Sequence, residues 1–245
     1  ILFDSNTNDE ADSVGGAIYA ATGVTINNNT GNVTFNNHRN SSLSGGSIYT
    51  VSGDVSLSGN GGVSFSKSTA SNEGGAIYST STVSLTGNGA IKFDNNTATT
   101  GRGGAIRGVK DITITGNTGN IDFTGNTAGT DGGAISTNTI VKDEGDVGRT
   151  YTNINGNTGD ISFIGNKAAG NGGAIDLGGG NGFLKMNDNN GSITFSGNTA
   201  GGIGGAINCT NGFAPKGQST VSIANNTGDV TFLNNRAGAN AGAIH

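Results

Sequence analysis

The chain has 245 residues, 47 of them glycine and only one proline, which excludes collagen and argues against a Pro/Gly-type disordered linker. Charged residues make up 12% and hydrophobic residues 32%, with no tryptophan, too sparse a supply to fill one compact core but enough for the thin core of a repeat structure. A net charge of −5 leaves no basic surface for nucleic acid, and no apolar run reaches the length of a membrane span, so direct membrane insertion by this stretch is not expected.

In chain order, the first period sets the pattern. Phe3-x-x-Asn6 is followed by Gly15-Gly16-Ala17-Ile18 with Tyr19 behind it. Then come an alternating run at Val24-Thr25-Ile26 and a second at Val33-Thr34-Phe35. The Gly-Gly-Ala-Ile motif returns at Gly74-Gly75, Gly103-Gly104, Gly132-Gly133, Gly172-Gly173 and Gly204-Gly205, with degenerate copies starting at Gly45 and Ala241. Successive copies start 30, 29, 29, 29, 40, 32 and 37 residues apart. Phe-x-x-Asn returns at Phe93/Asn96, Phe123/Asn126, Phe163/Asn166, Phe195/Asn198 and Phe232/Asn235. Phe35 and Phe65 keep the register but meet His38 and Ser68 in place of asparagine. The Val24-type run recurs at Val55-Ser56-Leu57, Val83-Ser84-Leu85, Ile112-Thr113-Ile114, Thr152-Asn153-Ile154, Leu184-Lys185-Met186 and Val221-Ser222-Ile223.

Short alternation with β-branched residues means strand, and the Gly, Asn and Ser between the runs supply turns. Three strands per period in one register predict an all-β, right-handed parallel β-helix of about eight coils, forming a single unit over 1–245 that begins and ends inside repeats. A propeller would need four strands per blade and a longer period. The phenylalanines are expected to stack in one buried column, the double glycine to turn with φ > 0, and the asparagines to form an inward ladder.

Repeated Gly-Gly-Ala-Ile interleaved with repeated Phe-x-x-Asn resembles the polymorphic membrane proteins of Chlamydia, along essentially the whole chain. The resemblance implies the secreted passenger β-helix of an autotransporter, at the bacterial surface, in the outer membrane or released. It also implies adhesion to a host-cell surface protein receptor, with both motif types contributing. On the residues alone, the same motifs are what a coil needs to close and stack, and that structural role carries more weight than direct contact.

Two surfaces are candidates for contact. Insertions at 136–151, 176–183 and 208–218 each follow the Gly-Gly-Ala-Ile strand, and the first carries Lys142, Asp143, Glu144, Asp146 and Arg149. Register predicts that they share one side of the rod. The position after the Ile holds Tyr19, Tyr49, Tyr78 and then Arg107, an outward stack that Arg107 could cap by a cation–π contact. Exposed coil ends offer self-association.

No catalytic residues, cofactor or metal site are expected. Glu73, Arg102 and Asp131 align before the double glycine, but their alternating charges suit an ion-pair ladder. His38 and His245 are too far apart to share a site, and the acidic cluster Asp9, Glu10 and Asp12 reads as a solvated loop. Cys209 is the one cysteine, so no internal disulfide can form. A structural stalk displaying adhesive regions elsewhere is the main alternative function, and a polysaccharide-active β-helix enzyme is the lesser one.

Overall fold

The computed structural model describes residues 1–137, 149–178, 181–210 and 219–245. Among the described residues every strand pairing is parallel, and the strands form four sheets with no helix. Each circuit passes through four strands. In the second circuit these are Ile48–Thr50, Val55–Ser58, Gly62–Ser66 and Thr69–Ala70. We name the sheets by residues they hold: the Ile sheet, the Val/Leu sheet, the Phe sheet and the Ala sheet.

The structure therefore corrects the expected three strands per coil. The fourth strand is a two-residue segment just after the motif's last position, Thr-Ala in four of its eight copies, as at Thr97–Ala98 and Thr127–Ala128. It is too short to show alternation, yet its alanines Ala70, Ala98, Ala128, Ala168 and Ala200 are buried. The Phe and Ala sheets hold eight strands and the other two hold seven, so the chain makes fewer than eight complete circuits. At ~4.8 Å per strand, eight strands span roughly 35 Å.

The core is a set of columns, because identical register puts like residues above one another. Phe3, Phe35, Phe65, Phe93, Phe123, Phe163, Phe195 and Phe232 pair in sequence across the Phe sheet. Their rings stack at centroid distances of 4.5 to 5.0 Å with planes within 6°. The six from Phe35 to Phe195 are fully buried, and Phe3 and Phe232 at the two ends are partly so. Burial of each inner ring contributes roughly 1.5–3 kcal/mol, and ring stacking adds to it.

The two glycines of each Gly-Gly-Ala-Ile motif serve different purposes. The first has positive φ, from 61° at Gly172 to 73° at Gly45, a conformation that a side chain disfavours. The second does not need positive φ. A Cβ on Gly75 would lie 2.0 Å from the carbonyl oxygen of Gly104, and one on Gly104 would lie 2.0 Å from that of Gly133. The second glycine is thus the point at which neighbouring coils touch backbone to backbone, so φ > 0 accounts for only half of the motif. From Ala76 to Ala206 the alanine that follows is buried and its carbonyl accepts two bonds from the preceding coil, as when Ala76 and Ile77 N–H both donate to Ala105 O at 2.9 Å.

Candidate functional site

The Phe-x-x-Asn motif closes a corner. The residue before the motif's last position is left-handed in every copy (Ser5, Asn37, Lys67, Asn95, Gly125, Gly165, Gly197 and Asn234), which turns the chain and aims the next side chain inward. Asn96, Asn126, Asn166 and Asn198 are buried, and Asn235 partly so. Each side-chain amide donates back to the carbonyl of a phenylalanine in the coil before. Asn96 reaches Phe65, Asn126 reaches Phe93, Asn166 reaches Phe123, Asn198 reaches Phe163 and Asn235 reaches Phe195, at 2.8–3.0 Å. The same Nδ2 donates to the Oδ1 of the next asparagine, which also accepts the backbone N–H of the asparagine before it. No hydrogen-bonding capacity of an inner rung is left for an outside ligand.

A second asparagine ladder runs along the neighbouring corner, between the Val/Leu and Phe sheets. Asn60, Asn88, Asn117, Asn157, Asn189 and Asn226 donate to the carbonyls of Ile26, Leu57, Leu85, Ile114, Ile154 and Met186 at 2.8–3.0 Å. They link from rung to rung in the same way. The residue before each is again left-handed: Gly59, Gly87, Gly116, Gly156, Asp188 and Asn225. The recurrent asparagine after the Val24-type runs is the sequence signal for it. Phe-x-x-Asn is one of two copies of a single turn.

The two imperfect rungs differ. Ser68 N–H donates to Asn96 Oδ1 at 3.0 Å and its hydroxyl meets that of Ser47 at 2.7 Å, so this rung is satisfied. His38 is 1% exposed; its Nδ1 accepts the N–H of Asn6 at 3.1 Å, and its Nε2 is buried without a partner. Burial lowers its pKa below the usual histidine value, against smaller opposing effects of backbone hydrogen bonds and the Asp4 carboxylate.

Of the glycine candidates, Gly74, Gly75, Gly103, Gly104, Gly132, Gly133, Gly172, Gly173, Gly204 and Gly205 are all buried. Both motif types therefore lie inside the rod for most of its length.

The tyrosine stack forms as expected, with Tyr19–Tyr49 centroids 6.1 Å apart and Tyr49–Tyr78 5.0 Å apart. Tyr19 is 58% exposed, and Tyr49 and Tyr78 are partly buried, which raises both phenol pKa values. Arg107 is a correction. It follows Tyr78 in register but is only 2% exposed, and its Nε lies 3.5 Å from Glu73 Oε1 while Nη1 donates to Ser136 at 3.3 Å. It does not cap the tyrosine stack, because the buried guanidinium turns to the carboxylate. Glu73 is thereby drawn out of the expected alternating ladder, and Arg102 pairs with Asp131 at 3.3 Å. Further along the same column Asp176 is also buried, held by Asn208 Nδ2 at 2.7 Å, and burial pushes its pKa up to about 6.

Lys142, Asp143 and Glu144 lie outside the described residues, as do most of the 136–151 and 208–218 insertions. The described flanks of all three insertions sit between an Ile-sheet strand and a Val/Leu-sheet strand, the same corner of the coil. Cys209 is a free thiol packed beside the core, and burial raises its pKa to about 11. Among the described residues no group of three or more His, Cys, Asp or Glu side chains is placed to hold a metal ion.

The structure adds one surface cluster. Tyr151 and Phe183 are in register on the outer face of the Val/Leu sheet, with centroids 5.1 Å apart. Arg149 lies over the Phe183 ring at 5.6 Å and Lys185 over the Tyr151 ring at 5.3 Å. Aligning Ile154 with Met186 in the sequence puts Tyr151 beside Phe183, which is the signal that could have found it.

Residues 120–138, 160–177, 192–210 and 229–245 match the model of the Chlamydia polymorphic membrane protein repeat. Each match runs from the Phe-sheet strand through the asparagine corner and the Ala sheet to the Gly-Gly-Ala-Ile segment, and leaves out the Val/Leu sheet. No curated protein and no solved structure matches the chain.

Proposed function

Because the chain belongs to the Chlamydia polymorphic membrane protein repeat family, we propose that it is a passenger segment of an autotransporter and acts as an adhesin at the bacterial surface. Its partner would be a protein receptor on the host cell, and it performs no catalysis. The Phe-x-x-Asn and Gly-Gly-Ala-Ile repeats build the rod, while contact is made by its outer faces and by the corner that accepts insertions.

One observation carries this division of labour: the inner motif residues are buried and their polar atoms are satisfied by one another. A receptor could reach Asn126 or Gly133 only by dismantling a coil. Many similar coils on one rod suit multivalent attachment, in which each contact is weak and the sum is strong.

The test is adhesion of beads coated with the chain to epithelial cells, compared with a Phe123→Ala variant and with a variant in which residues 138–148 are replaced by Gly/Ser. Circular dichroism follows the fold of each. The reading expects Phe123→Ala to lose adhesion together with thermal stability, and the loop variant to lose adhesion while folded. A folded Phe123→Ala protein without adhesion would make the motif itself the contact. Failure of coated beads to bind at all would favour the alternative of a stalk that displays adhesive regions elsewhere.

A further inference from the structure

The cluster around Tyr151 and Phe183 has no structural duty in the core. Their side chains face away from it, on a strand whose inward residues are Thr152 and Ile154 in one coil and Leu184 and Met186 in the next. Outward positions on this sheet are otherwise mostly short polar residues, such as Ser56 and Ser58, Ser84 and Thr86, and Thr113 and Thr115. A partly exposed phenylalanine on such a face keeps some apolar surface in water that folding does not require it to keep.

The charges point outward too. Arg149 and Lys185 are exposed, and among the described residues neither is in an ion pair, although the chain as a whole is acidic. Each lies over the ring of the neighbouring coil, which fixes a flexible side chain without neutralising it. The cluster also lies between the stretches that match the family repeat, so building the shared scaffold does not call for it. Around it stand hydrogen-bonding side chains, Asn153 and Ser222, which share a register position with Lys185.

From these observations we propose that Arg149, Tyr151, Phe183 and Lys185 form a binding site for an acidic sugar residue of a glycan chain. The exposed edges of two stacked aromatic side chains offer apolar surface beside which the C–H groups of a pyranose pack. The two cations engage its carboxylate or sulfate, and the guanidinium can do so in a bidentate manner. Asn153 and Ser222 meet the ring hydroxyls. The site lies on the outer face of a parallel sheet, open to a hydroxyl-bearing ring. The proposal rests on the adhesin reading, as one point at which the rod meets the host surface.

The test measures binding by titration calorimetry to three hexasaccharides: hyaluronan (carboxylate), heparin-derived (sulfate) and neutral chito-hexaose. Wild-type protein is expected to bind at least one acidic probe and not the neutral one. Affinity should fall about tenfold in Phe183→Ala and in Arg149→Gln/Lys185→Gln, with unchanged circular dichroism. Lys167→Gln, on another face, should leave it unaltered. Which acidic probe binds tells carboxylate from sulfate recognition. The proposal is overturned if neither acidic probe binds at millimolar concentration, or if Phe183→Ala and the double Gln variant bind as wild type does. It is also overturned if Lys167→Gln weakens binding equally, which would mark mere charge attraction. Bead adhesion is run in parallel. Adhesion without glycan binding sinks this site and leaves the adhesin reading intact; glycan binding without adhesion does the reverse.

Discussion

Two corners of each coil are built by the same rule, and only one of them is the Phe-x-x-Asn motif. At both, an inward apolar residue is followed by an outward one, a left-handed one and an asparagine whose amide bridges three coils. Phe123 and Asn126 occupy one corner, and Ile114 and Asn117 the other, with matching distances. What differs is the apolar residue: a planar ring can stack on its copies, a branched aliphatic chain can only pack. The asparagine thus answers to coil geometry wherever it stands, and the phenylalanine answers to the width of the core at its own sheet. A motif that recurs because the scaffold repeats need not be a motif that a partner reads.

The largest expected effect is at the ring. Phe123→Ala should destabilise the chain by about 3–5 kcal/mol, measured by denaturant unfolding, because a ring stacked on both faces leaves a cavity that the rigid neighbours cannot close. The next is the direct comparison of the corners. Asn126→Ala and Asn117→Ala should each cost about 2–3 kcal/mol, since each leaves a buried carbonyl and a rung partner unsatisfied. Equal losses support one turn in two copies. If Asn126→Ala matched wild type in stability while Asn117→Ala unfolded, the corners would not be equivalent.

A third prediction concerns the rung at which the corners diverge. His38 must be neutral in the fold, where Nδ1 accepts an N–H and protonation would make it a donor facing that donor. Its folded pKa lies below the unfolded value of about 6.5, so the stability it contributes is present at pH 7 and is lost as pH falls below that value. Amide protection factors in the first two coils, corrected for the intrinsic exchange rate, should fall between pH 7 and 5, and His38→Asn should remove the effect by restoring the ladder. Asp176 works with the opposite sign. Its folded pKa of about 6 is raised, so the coils around it are favoured at low pH and lose that contribution as pH rises through 6.

The smallest effect is expected at Thr152, which sits in the inward column between Ile112 and Leu184 with its hydroxyl buried and without a hydrogen-bond partner. Thr152→Val should raise stability by about 1 kcal/mol in the same unfolding experiment. A neutral or destabilising result would mean that the hydroxyl has a role that the apolar columns do not reveal.

The columns were legible in the sequence because burial selects residue type at every coil. Phe35 to Phe232, the Gly-Gly-Ala-Ile copies and the inward Val, Leu and Ile all announced their register. The Thr-Ala strands were not legible, since two residues carry no period and alanine is buried here by closeness of the chain more than by hydrophobicity. Arg107 was misread for a related reason. Alternation predicts the face of the sheet to which a side chain points, but a carboxylate on an adjacent corner, here Glu73, decides whether that face is wet. The second role of the double glycine escaped because the contact at Gly104 is with a backbone a full circuit away, which no local pattern records. The aromatic–cation cluster was within reach only by aligning Tyr151 with Phe183 through their neighbours.

The direction of the hydrogen bonds has a mechanical corollary. In all four sheets, and in both asparagine ladders, the bonds run from coil to coil, so a pull on the chain end strains the bonds of the terminal coil first. A pull on the chain end would peel coils singly, each releasing about 30 residues, or roughly 100 Å of extended chain, in place of a rise of ~4.8 Å. A rod roughly 35 Å long would then yield by lengthening many-fold, step by step, while the coils not yet reached stay intact.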